Sequence, residues 1–183
     1  VMDYSPYERQ WGVAVRAAKR VANEAEQSWK EHRADAGAKG LKAARAIGML
    51  TYRNYGTLQE KQTDPDPEKI DDFKASSYLN YQGDKLVKRF NAYSYWLLTK
   101  SMDSHHLGRG RGGDLIKVLG SIHQPTLIIG IHSDILCPQD EQRFMAQHLP
   151  DTLLIEIDSA YGHDGFISET QQITGHLGKW LGD

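Results

Sequence analysis

The sequence predicts an α/β fold in which a helical half precedes a short stretch of parallel sheet. Three observations carry this. The continuous apolar runs "TLIIGI" and "TLLIEI" have the length and β-branched content of strands buried on both faces of a parallel sheet. A helical pattern follows each run, so strand, helix, strand, helix reads as a βαβα unit with a right-handed crossover. Residues 1–113 carry helical periodicity and supply no comparable strand.

In "WGVAVRAAKRVANEAEQSW", Trp11, Ala14, Ala18, Val21, Ala25 and Trp29 recur at three- and four-residue steps, which predicts one amphipathic helix. Pro6 suits its start. Gly37 and Gly40 punctuate the chain, and "LKAARAIGMLTYRNYG" predicts a second helix ending near Gly56. "TDPDPEKIDD" is a polar loop with two prolines. "GDKLVKRFNAYSYWLLTKSM" predicts a third helix with Leu86, Phe90, Tyr93 and Leu97 on one face, and "GRGRGG" closes this half at Gly113. In residues 114–183, "QDEQRFMAQHL" is the helix between the strands, stopped by Pro150. The tail "SETQQITGHLGKWL" is a helix with Ile173, Leu177, Trp180 and Leu181 as its apolar stripe. Two strands cannot cover both faces of a parallel sheet, so further strands must come from elsewhere.

A chain of 183 residues is long enough to bury a core. A formal net charge of −2 gives no basic surface for nucleic acid and no acidic tail. The single cysteine, Cys137, cannot form an intrachain disulfide, which agrees with a reducing cytoplasm. No apolar run approaches the roughly 20 residues of a membrane span, and "VMDYSPYERQW" has neither the apolar core nor the basic flank of a signal peptide. The chain does not begin with Met, so the expectation is a processed chain or part of a longer protein.

In open α/β sheets, ligands collect at the carboxyl ends of the strands. The loop "HSDILCPQ" leaves one such end with Asp134, and "SAYGHDGF" leaves the other with His163. Neighbouring parallel strands bring both loops to one edge. There the carboxylate can fix the imidazole tautomer and leave the other ring nitrogen as a general base. The bland alternatives are an Asp134 that only caps a helix and a His163 that is only a loop residue. The order acid then histidine is that of α/β-hydrolases, whose nucleophile comes earlier in the chain.

"HSDILCPQDEQRFMAQHLP" followed by "IDSAYGHDGFI" resembles the C-terminal portion of the homoserine O-acetyltransferases. "LTYR" and "YLNYQGDKLVKRFNAYSYWLLTKSMDSHHLGRGRGG" resemble that family's helical lid and the return from it. The resemblance implies a partial α/β-hydrolase fold, with residues 1–113 as lid and 114–183 as the C-terminal part of the core. It implies Asp134 as triad acid, His163 as triad base, and Asp164 as the holder of homoserine's amino group. Arg45 and Tyr52, seven residues apart on one predicted helix, match the lid arginine and tyrosine that face the substrate. The bland alternatives are a solvated Arg45 and a packed Tyr52.

The implied reaction is acyl transfer from acetyl-CoA, as co-substrate, to the hydroxyl of L-homoserine in methionine biosynthesis. It passes through an acyl-serine, with no permanently bound cofactor. The family's serine sits on a G-x-S-x-G-type elbow. Ser121, Ser133 and Ser159 have no such setting, so the chain alone is expected to be inactive. A succinyl-CoA-using relative, an α/β-hydrolase esterase and a non-enzymatic helical interaction module are the alternatives. Apolar stripes on the helices, and the resemblance, predict a homodimer through the lid in the cytoplasm. Cys137, beside Pro138, reads as a small packed side chain rather than a thiol nucleophile. "GRGRGG" lacks the phosphate-loop pattern. Adjacent His105 and His106 diverge by about 100° on a helix, the remaining histidines lack ligand spacing, and no metal is expected.

Overall fold

A computed structural model of the chain describes residues 10–182. Pro6, and with it the expected start of the first helix, lies outside them, as does Asp183. The chain divides into two compact units. One holds the helices up to Thr51 and from Tyr55 to His105; the other takes Tyr52–Asn54 together with His106 onward.

The helical unit contains α1 (Gln10–Glu24), most of α2 (Ala38–Tyr52), α3 (Tyr55–Gln62), α4 (Lys74–Val87) and α5 (Ala92–Ser104). Helix α1 is shorter than its pattern predicts and turns a different face inward. The expected stripe is largely exposed, with Trp11 at 52% and Val21 at 66%. The buried face is Gly12, Val15, Arg16, Lys19 and Asn23. Polar pairing decides this. Arg16 Nε and Arg20 Nη2 reach the Asp103 carboxylate at 2.5 and 2.6 Å, and Asn23 Nδ2 donates to the Ala92 carbonyl at 3.2 Å. These pairings offset much of what the buried groups lose by leaving water, while Arg16 Nη2, Arg20 Nη1 and Asn23 Oδ1 find no hydrogen-bond partner among the described residues.

The chain leaves α1 because Glu26 adopts extended backbone and turns its carboxylate to the start of α2. It accepts the Gly40 N–H at 2.8 Å and the Ser28 hydroxyl at 2.9 Å, an anion at a helix N-terminus. A Cβ on Gly40 would sit 2.8 Å from the Ala22 and Asn23 carbonyls, so α2 crosses the end of α1 at backbone contact. Trp29 then falls in a separate 3₁₀ turn, Gln27–Lys30. The expected third helix is likewise two, α4 and α5. Asn91 is extended and its side chain accepts the Ser94 N–H at 3.0 Å, an N-cap that restarts the helix. Leu41, Leu86 and Ala92 form the core of this unit. The second expected helix stops at Tyr52, four residues before Gly56, and α3 starts afresh at Tyr55.

The other unit contains α6 (Leu115–Gly120), β1 (Thr126–Ile131), α7 (Gln139–His148), β2 (Thr152–Ile157), α8 (Gly165–Ser168) and α9 (Thr170–Leu181). Asp114 caps α6 by accepting the Lys117 N–H at 3.0 Å. The strands pair in parallel, Thr126 opposite Thr152 through Ile131 opposite Ile157. They are therefore in step, and their carboxyl ends emerge side by side. Leu115, Leu119, Ile128, Met145 and Leu149 form the core on which α6 and α7 close.

The strands are not buried on both faces as expected. Leu153 is 47% exposed, and α9 buries none of its residues, leaving Leu177, Trp180 and Leu181 open. Among the described residues the sheet has two strands, too few to give each apolar side chain a partner. No helix among them is long and apolar enough to cross a membrane.

Candidate active site

Asp134 lies in the turn that leaves β1, where its own N–H donates to the Ile131 carbonyl at 3.2 Å. Its Oδ1 accepts the N–H groups of Leu136 and Cys137 at 2.8 and 2.9 Å, so the carboxylate folds its own loop around itself. The N-cap position of α7 is Pro138, not Asp134. With Oδ1 so engaged and the residue buried, Oδ2 is left to face the neighbouring loop.

That loop leaves β2 and carries His163. Ser133 joins the two: its hydroxyl donates to the Ser159 carbonyl at 2.5 Å and accepts the Gly162 N–H at 3.1 Å. Gly162 has φ +64°, the left-handed conformation glycine tolerates, and a 3₁₀ turn over Gly162–Asp164 follows. The turn sets His163 Nδ1 2.8 Å from Asp134 Oδ2. An ionised carboxylate only accepts, so Nδ1 carries the proton and Nε2 is the acceptor nitrogen of the neutral ring.

Burial favours the neutral imidazole. The hydrogen bond to Asp134, and after it the neighbouring Cys137, outweigh that and push His163 up to about 10. These two neighbours are the ones that stabilise the imidazolium formed when the ring accepts a proton. The Tyr52 ring lies 5.6 Å from the imidazole and Phe166 stands edge-on at 5.4 Å, fixing its plane from two sides.

Cys137 is half-buried beside the imidazole; the ligating atoms of Asp134, Cys137 and His163 lie within 4.8 Å of one another. A cavity of about 310 Å³ starts at these residues and is lined by all six residues of β1. Successive strand side chains alternate between faces. A hollow touching every one of them therefore follows the edge of β1 opposite β2.

Asp164 follows the histidine directly, and its Oδ2 lies 3.2 Å from Arg53 Nε. Nothing in the sequence singles out Arg53, although it stands in "LTYR" beside Tyr52; its relevance depends on the chain leaving the helix at Tyr52. Asp134, His163, Asp164 and Tyr52 all belong to one unit, whereas Arg45, half-buried on α2, belongs to the helical one. The three serines without an elbow setting have other tasks. Ser133 staples the two loops, Ser159 Oγ accepts the Tyr161 N–H at 3.1 Å, and Ser121 bonds the Val118 carbonyl at 2.7 Å.

No family model matches the chain. It is 47% identical over 163 residues to the homoserine O-acetyltransferase of Cyclobacterium marinum, covering 89% of this chain and 46% of that one. The homoserine O-acetyltransferase of Salinibacter ruber is 38% identical over 175 residues, covering 93% and 49%. Among solved structures, homoserine O-acetyltransferase from Bacillus anthracis superposes with a TM-score of 0.83 at 18% identity, over 94% of this chain and 49% of that one. Esterase E22 superposes with a TM-score of 0.81 at 16% identity, over 93% and 50%. The likeness to these structures gives the α/β-hydrolase fold, of which the paired strands and their helices are a part. By sequence the chain belongs to the homoserine O-acetyltransferase family, and it spans about half the length of the curated relatives it matches.

Proposed function

We propose that this chain supplies the acid, the base and the acceptor-binding acid of an enzyme that moves an acetyl group from acetyl-CoA to the hydroxyl of L-homoserine. The observation that carries this reading is the 2.8 Å contact between His163 Nδ1 and Asp134 Oδ2, with Asp164 next in the chain. In the first half-reaction His163 Nε2 takes the proton of a serine hydroxyl, which attacks the thioester carbonyl. The proton then goes to the departing CoA thiolate as the acyl-serine forms. In the second half-reaction Nε2 deprotonates homoserine's hydroxyl, which attacks the acyl-serine and releases O-acetylhomoserine, and the proton returns to the serine. Asp134 holds the tautomer and stabilises the imidazolium at both stages.

On this reading the serine and its oxyanion hole belong to a further part of the protein, whose strand adds at the hollow along β1. The helical unit, which includes Arg45, acts as the lid; Tyr52 and Asp164, in the other unit, serve the acceptor, Asp164 taking its ammonium group through a charge-assisted hydrogen bond. Assembly as a homodimer through the helical unit is supported by Tyr93, Leu97, Leu98 and Met102, which expose about half their surface on α5.

The test compares homoserine with water as acceptor in the complete protein. Acetyl transfer to homoserine, abolished by His163→Ala, supports the reading. Equal rates to both acceptors make the enzyme an esterase. The 183-residue chain alone should turn over neither.

A further inference from the structure

Three contacts tie Tyr52–Asn54 to the loop that carries His163 and Asp164. A Cβ on Gly162 would lie 2.8 Å from Asn54 N, 3.1 Å from the Arg53 carbonyl carbon and 3.2 Å from the Tyr52 oxygen, so two backbones meet there with no side chain between them. The Tyr52 ring packs on the imidazole. Arg53 Nε lies 3.2 Å from Asp164 Oδ2, with only 27% and 15% of the two side chains exposed. Among the described residues nothing hydrogen-bonds Arg53 Nε, so the nearby carboxylate is what offsets its burial.

We propose that Arg53 is a positioning residue: its guanidinium holds the Asp164 carboxylate in the orientation that receives the ammonium group of an amino-acid acceptor. This rests on the reading of Asp164 given above. Two effects of opposite sign meet here. A guanidinium competes with an incoming ammonium for the carboxylate, and it also fixes that carboxylate and balances its charge. Positioning wins on geometry. A carboxylate has about four acceptor sites, and the contact to Arg53 at Oδ2 takes up one of them.

The experiment uses the complete protein and two acceptors, homoserine and 4-hydroxybutyrate, which keeps the hydroxyl and carboxylate but lacks the amino group. Arg53→Ala should raise KM for homoserine on the order of tenfold, the loss of one charge-assisted interaction. It should leave kcat, and KM for 4-hydroxybutyrate, nearly unchanged, and Arg53→Lys should recover part of the loss. Undiminished turnover of 4-hydroxybutyrate also shows that the variant is folded. An unchanged KM for homoserine, or equal increases for both acceptors, overturns the proposal. Asp164→Asn separates the two levels. If it leaves the preference for homoserine intact, the ammonium reading of Asp164 fails and the Arg53 role falls with it. If it abolishes the preference while Arg53→Ala does not, only the Arg53 role fails.

Discussion

The Asp134 carboxylate divides its labour with His163 in view: Oδ1 takes two backbone N–H groups of its own loop, and Oδ2 stands 2.8 Å from His163 Nδ1. Asp134→Asn should therefore leave the loop folded and spoil the chemistry. The amide oxygen can keep the Leu136 and Cys137 bonds, which turns the amide N–H₂ toward Nδ1. The imidazole must then place its proton on Nε2, where a base needs a lone pair. In the complete protein kcat should fall by about 10³- to 10⁴-fold with KM little changed. Steady-state kinetics beside a thermal melt checks this: an unshifted melt with lost turnover is expected, and full turnover would remove Asp134 from the triad.

In the sequence Ser133 is only a serine without the setting of a nucleophile. Its hydroxyl bridges the Ser159 carbonyl and the Gly162 N–H, so it sets the spacing between the acid loop and the base loop. Ser133→Ala leaves a carbonyl and an N–H without that partner, at a cost of about 1–3 kcal/mol. Chemical denaturation of this chain should show that loss, and activity of the complete protein should fall with it. Equal midpoints for Ser133→Ala and the parent would show that the bridge adds nothing.

Much of this site was legible in the sequence because it depends on local patterns and on one topological rule. Two apolar runs of equal length gave two parallel strands, and parallel strands in register bring Asp134 and His163 to one edge. What was not legible depends on polar pairs far apart in the chain. The inward face of α1 is chosen by Asp103, more than 80 residues on, and by the Ala92 carbonyl, so apolar periodicity pointed to the wrong stripe. The break between α4 and α5 did have a local signal in Asn91, but it was masked by a helical pattern that runs through it. Arg53 was invisible for a similar reason. Read as the interior of a helix running to Gly56, it has no cause to meet Asp164; with the helix ended at Tyr52, it does.

Gly162 combines two demands that no other residue type meets together. Its φ is +64°, and an added Cβ would approach Asn54 N to 2.8 Å, with backbone rather than a yielding side chain as the neighbour. Left-handed backbone alone costs an ordinary residue about 1–2 kcal/mol, and the collision adds to it. Gly162→Ala should lower stability by about 2–4 kcal/mol and displace the His163 ring from Tyr52. Denaturation midpoints test the first effect. A crystal structure of the variant tests the second, and an unmoved imidazole in a protein of unchanged stability would refute both.

Glu26 makes a pH prediction for the helical unit. Burial would raise its pKa, but the N–H of Gly40, the hydroxyl of Ser28, and the N–H and charge of Lys39 together lower it below the ordinary 4.5. The sign follows. The folded state binds this proton less readily than the unfolded chain, so the carboxylate's contribution is complete above the ordinary value and is lost as pH falls through the lowered one. Glu26→Gln keeps the shape but not the charge, and removes this particular acid sensitivity. The difference in stability between parent and variant should therefore be largest near neutral pH and shrink below the carboxylate range, as followed by urea denaturation at stepped pH values. A difference that stays constant down to strong acid would mean that Glu26 holds α2 by shape alone, without help from its charge.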